Sequence, residues 1–132
     1  MKLESKELRI GNLINIPKYI DFDYEKRPKI CEVNMIDLKN NVHYYWGGTG
    51  ENYYYSIDEC EPITLTEEWL LMFGFTKHGK YSYFYKDDLI IDKNDLGVFF
   101  MCDIDIHVEI KSVHHLQNLY WCLFGKELTL KP

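Results

Sequence analysis

At 132 residues and 15.9 kDa, with 46% hydrophobic residues, the chain has the size of one ordinary domain and enough apolar side chain for a real core, which argues against native disorder. Its net charge of −6 and pI near 5.3 argue against a general nucleic-acid binder, because that role needs a positive field to displace counterions from phosphates. Dividing the chain after Pro62 leaves 8 basic against 11 acidic residues in the first part and 7 against 10 in the second, so neither part is a charged tail.

In chain order, Leu8 to Ile16 reads as a strand broken at Gly11 and Asn12, where a bulge or tight turn needs positive φ. A charged and aromatic connection follows from Tyr19 to Pro28. Lys29 to Leu38 and Val42 to Trp46 then form a hairpin about the turn Lys39, Asn40 and Asn41, since Asn tolerates the left-handed conformation. Gly47 to Gly50 breaks the chain before another strand, Tyr53 to Ile57. Aromatic residues make up 16% of the chain, led by 11 Tyr, and they suit the pleated, half-buried surface of such strands. Short strands with sharp bends predict a small curved sheet, specifically a partly open, SH3-like barrel over residues 1–62.

Residues 63–132 predict a helix, an antiparallel meander and a second helix. Thr66 is the expected N-cap of the first helix: Glu67 and Glu68 then occupy the first turn, Leu65 and Leu70 take the staple positions, and Gly74 closes the end. Trp69, Leu70 and Phe73 share its core face. Up to four strands follow between Tyr81 and Ile110, joined by connections too short for parallel crossovers. Ile104, Ile106, Val108 and Ile110 alternate with Asp105, His107 and Glu109, so one face is dry and the other wet. The last helix runs from the N-cap Ser112 to Gly125, with Val113, Leu116, Leu119, Tyr120 and Leu123 covering the dry face and Gln117 and Asn118 pointing elsewhere. The fold class is therefore α+β, in two subdomains packed as one compact unit.

Few clusters promise chemistry. Asp103, Asp105, His107 and Glu109 lie on one strand face near His114 and His115, a donor set for Zn, Mn or Fe, and Asp105, His107 and His114 are the metal candidates. Same-face neighbours on a strand stand roughly 6.5–7 Å apart, so a tight site needs a ligand from another element, and the wet face of an amphipathic strand explains the pattern better. His114 and His115 are adjacent on a helix and do not face each other. The stretch from Asp92 to Asp103 fails as a calcium loop, having Leu96 at a ligand position and strands on either side. Gly47 to Gly50 lacks the Lys and helix of a phosphate cradle. Cys31, Cys60, Cys102 and Cys122 have no CxxC spacing, and each is expected as a small buried hydrophobe. No serine sits in a nucleophile-elbow setting. No catalytic residue and no cofactor is assigned.

Three segments resemble a group of small uncharacterised proteins of Bacteroidetes and their phages: Leu8 to Leu13, Pro62 to Phe75, and His114 to Thr129, where a His-x-Leu-Gln-Asn-Leu-Tyr helix runs into a Gly-x-Glu-Leu-Thr tail. In that group Gln usually follows the first His, which makes His114 the matched position and His115 a departure. The group has no assigned activity, so the resemblance implies shared structure and transfers no functional residues.

No apolar run reaches the ~20 residues needed to span a bilayer, and the charged start is unlike a signal peptide, so a cytoplasmic protein is expected. Abundant Tyr and Trp without a catalytic set point first to a non-enzymatic protein-interaction module with a protein partner, with Tyr44, Trp46, Tyr54, Gln117 and Asn118 as its contact residues. The alternatives are a metal-binding protein or small metal-dependent hydrolase, and a single-strand nucleic-acid binder that stacks bases on tyrosines.

Overall fold

A computed structural model describes residues 2–16, 30–46, 51–102 and 107–131. The chain divides into two units, Met1–Ile63 and Thr64–Pro132. It is an α+β protein built on antiparallel sheets, and no helix among the described residues is long and apolar enough to cross a membrane.

In the first unit, β1 (Leu13–Asn15) pairs with β2 (Ile30–Glu32), while β3 (Met35–Ile36), β4 (Asn41–Trp46) and β5 (Glu51–Ser56) form a separate ladder. Among the described residues the ladders do not close into a barrel. The predicted run from Lys29 to Leu38 is thus two strands, because the chain leaves one ladder at Val33 and joins the other through the bond from Asn34 N–H to the His43 carbonyl. The break at Gly11 and Asn12 is present: Gly11 has φ 96°, donates to the Val33 carbonyl at 2.8 Å, and the buried Asn12 side chain accepts from Arg9 N–H at 2.7 Å. Alternation then sorts β4 and β5. Val42, Tyr44 and Tyr55 join Leu3, Ile14, Cys31, Val33 and Cys60 in the core, while His43 and Tyr54 face the other way.

In the second unit, α1 (Glu67–Met72) starts at Thr66, whose hydroxyl accepts from Trp69 N–H at 3.4 Å. Leu70 and Phe73 are fully buried, and Gly74, at φ 90°, lets the chain turn back. The meander follows as β6 (Thr76–Lys77), β7 (Phe84–Lys86), β8 (Leu89–Lys93), β9 (Phe99–Cys102) and β10 (His107–Ile110), in that spatial order. It has one more strand than the sequence predicts, because β6 spans only two residues and leaves no legible period.

One face of this sheet carries Phe84, Leu89, Ile91, Phe99 and Ile110, all buried. Helix α1 lies over that face: its Glu67 meets Lys77 at 3.5 Å and Lys93 at 3.7 Å, and Lys86 Nζ donates to the Phe73 carbonyl at 3.0 Å. Helix α2 (Val113–Phe124) begins at Ser112, whose hydroxyl accepts from His115 N–H at 3.3 Å, and ends at Gly125 with φ 67°. It buries Val113, Leu116 and Tyr120 in the same apolar layer.

The buried stripe of α2 differs from the predicted one. His114 and Gln117 are buried, while Leu123 is 49% exposed and Leu119 half-buried. The stripe drifts around the cylinder, and by the last turn it has left the layer below.

Candidate functional site

The expected contact residues are not one surface. Tyr44 is core, stacked between Tyr53 and Tyr55 at centroid distances of 5.8 and 5.9 Å, and Gln117 is buried in α2, so neither has surface to offer a partner. The reason is parity: Tyr44 shares its face with Val42, and Gln117 follows Val113 by one helical turn. Asn118 is half-buried and the Trp46 side chain lies outside the described residues. Tyr54 is 62% exposed and stacks on the His43 ring at 5.3 Å. His43 of that cross-strand pair also ties to the tight turn that precedes β4. The Asp37 carboxylate accepts from His43 Nε2 at 2.9 Å and from the N–H groups of Lys39 and Asn41, and it is held far below the usual carboxylate range chiefly by the His43 bond.

Of the metal candidates, the two described ones, His107 and His114, are not brought together. Asp103 and Asp105 lie outside the described residues. His107 is exposed on the sheet face opposite the helices, with its ring 5.6 Å from Phe100, whereas His114 is buried within α2 with Nδ1 3.2 Å from the Ser112 hydroxyl. Among the described residues no group of three His, Cys, Asp or Glu side chains is placed to hold a metal ion.

The thiols split in two. Cys31 and Cys60 are buried, and burial pushes them up to about 12 and about 11, so they stay protonated at neutral pH. Cys102 and Cys122 are exposed, contrary to expectation. Cys102 falls on the uncovered face of β9, directly across from His107.

That uncovered face is the feature the sequence reading missed. Tyr85 pairs with Ile90, and both point away from the helices, 41% and 42% exposed. Tyr83 continues the row at 6.3 Å from Tyr85, then Tyr81 at 6.1 Å from Tyr83, stacked and 57% exposed. His78, from the turn between β6 and β7, tucks between them, 4.7 Å from Tyr83 and 5.1 Å from Tyr81. Its Nδ1 accepts from the N–H groups of Lys80 and Tyr81 at 3.2 and 3.3 Å, which fixes the ring against the row.

Beside this row is a groove of about 370 Å³ lined by His78, Tyr83, Tyr85, Asp87, Asp88 and Ile90. Asp87 sits in the β7–β8 turn at φ 51°. Its carboxylate accepts from the Tyr120 hydroxyl of α2 and lies 3.7 Å from Lys126 Nζ. The Tyr120 bond and then the ammonium groups of Lys126 and Lys86 keep the Asp87 carboxyl below its ordinary value. The signal for this site was present: Tyr at 81, 83 and 85 with Phe84 between them is a two-residue period. Chemically, the face offers exposed aromatic rings with carboxylates at one end.

No family model, no curated protein and no solved structure matches this chain.

Proposed function

We propose that the chain is a non-enzymatic interaction module, acting in the cytoplasm, that docks a protein partner on the uncovered face of its five-stranded sheet. The observation that carries this reading is the continuous row of partly exposed rings, Tyr81, Tyr83 and Tyr85, flanked by Ile90. Solvent-facing positions of a sheet are ordinarily polar, and a contiguous aromatic strip there lowers free energy only when something covers it. Tyrosine is also the residue type that concentrates binding energy at interfaces, since it brings area and a polar tip at small entropic cost.

The acidic groove end and the net charge of −6 weigh against a nucleic-acid strand on the same rings, because phosphates would be repelled. The SH3-like reading of the first unit belongs to the same proposal. It is supported by the chain crossing from one ladder to the other at Val33 and Asn34, and by the bridge from Asn15 to Glu61 that draws the end of the unit back to β1. The resemblance to phage-associated proteins supports a partner from the host cell.

The test is affinity capture with the intact chain beside a Tyr81→Ser, Tyr85→Ser variant that keeps the wild-type melting temperature. A partner held by the wild type and lost by the variant supports the docking face. A partner held equally by both overturns it.

A further inference from the structure

Resting on that reading, we infer that the groove beside Tyr83 and Tyr85 is a receptor for a basic side chain, an arginine or lysine carried on an extended segment of the protein partner. The groove offers two carboxylates, Asp87 and Asp88, and no lysine or arginine among its lining residues. Both partners of Asp87, the Tyr120 hydroxyl and Lys126, use Oδ2, so Oδ1 has no partner among the described residues. Asp88 is exposed and makes no hydrogen bond or ion pair among the described residues.

The rings of Tyr83, Tyr85 and His78 together with Ile90 supply the remaining walls, so a ligand cation meets aromatic faces and then the carboxylates of the β7–β8 turn. That order suits a long side chain with an apolar stem and a charged head: the stem lies on Tyr83, Tyr85 and Ile90 while the head reaches the β7–β8 turn. The same strip already shows the preference within the chain, where Lys80 Nζ sits 5.7 Å over the Tyr81 ring. Tyr120 acts here as a positioning residue, tying the Asp87 carboxylate to α2 so that it does not swing into solvent.

A phosphate or carboxylate ligand is disfavoured by the same two acids. A second copy of this chain is disfavoured as well, because each copy carries −6 and would bring the same acidic rim to the contact.

The experiment uses the full chain and two five-residue peptides, acetyl-Gly-Ser-Arg-Ser-Gly-amide and its citrulline counterpart, which keeps the shape and removes the charge. Binding is followed by the side-chain NMR signals of Tyr83, Tyr85 and His78. The arginine peptide is expected to shift these signals and to bind about tenfold more tightly than the citrulline peptide. Its affinity should fall several-fold in the Asp88→Asn variant and with added salt. Equal binding of the two peptides, shifts confined to other residues, or no shift at millimolar arginine peptide each overturns the inference. Self-association of the chain through this face would do the same. Loss of the arginine preference while a partner still depends on Tyr81 and Tyr85 would sink the basic-ligand assignment and leave the docking face standing.

Discussion

The hydroxyl of Tyr120, in the middle of α2, donates to the carboxylate of Asp87 in the turn between β7 and β8. The two residues are 33 positions apart, and the bond fixes the acidic end of the aromatic groove to the longest helix of the described chain. Burial of the phenol, reinforced by the adjacent carboxylate, pushes Tyr120 up to about 12.

An alkaline titration followed by tyrosinate absorbance should therefore show a late component near pH 12 to which Tyr120 contributes. The sign is that of a raised folded-state value: the stabilisation is complete below the unfolded value near 10 and is lost as pH rises through about 12. Tyr120→Phe should shrink the late component by one tyrosine and lower the melting temperature by roughly 2–6 °C at neutral pH. A late component of unchanged size in Tyr120→Phe would assign it elsewhere.

Asp37 works at the other end of the pH scale. Its carboxyl is depressed by the His43 bond first and by the Asn41 N–H next. A depressed carboxyl stabilises the fold above its unfolded value of about 3.9, and that contribution fades as pH falls toward the folded-state value. Asp37→Asn should lower the urea midpoint at pH 7, with the gap to wild type narrowing at pH 3. A gap that does not change between these pH values would mean that ionisation of Asp37 plays no part.

The offset stripe of α2 has an energetic signature. Leu116 is fully buried, and Leu116→Ala should cost about 2–5 kcal/mol of stability by removing packed methyl groups. Leu123, half-exposed at the last turn, should tolerate alanine within about 0.5 kcal/mol. Denaturant melts of both variants check the ranking, and comparable losses would restore the stripe read from spacing alone.

Thiol labelling should divide the four cysteines evenly. Cys102 and Cys122 are exposed and should react with a thiol reagent in the native chain, whereas Cys31 and Cys60 should react only after unfolding. Four thiols reacting at one rate in the native chain would contradict the burial of the first unit's core.

What the sequence disclosed was mostly local. Thr66, Ser112 and Gly125 mark helix ends through bonds and dihedrals that involve only their own neighbours, and the positive φ of Gly11 and Asn40 follows from the same short-range rules. The ownership of strands was not legible. Nothing between Lys29 and Leu38 says that Ile30 pairs with Asn15 while Ile36 pairs with Val42, because register is set by distant partners. The uncovered tyrosine face was missed for a related reason. Alternation separates Tyr83 and Tyr85 from Phe84, but only the position of the helices decides which side is covered, and the same missing fact hid the exposure of Cys102.

The central claim is that the Tyr81, Tyr83 and Tyr85 face is where a partner sits, and photo-crosslinking tests it most directly. A benzoylphenylalanine placed at position 85 should give a defined adduct with a protein of the native cell, abolished by Ile90→Ser, while the same probe at Tyr54 or Leu123 gives none. Adducts at position 54 or 123 with none at 85 would contradict the account.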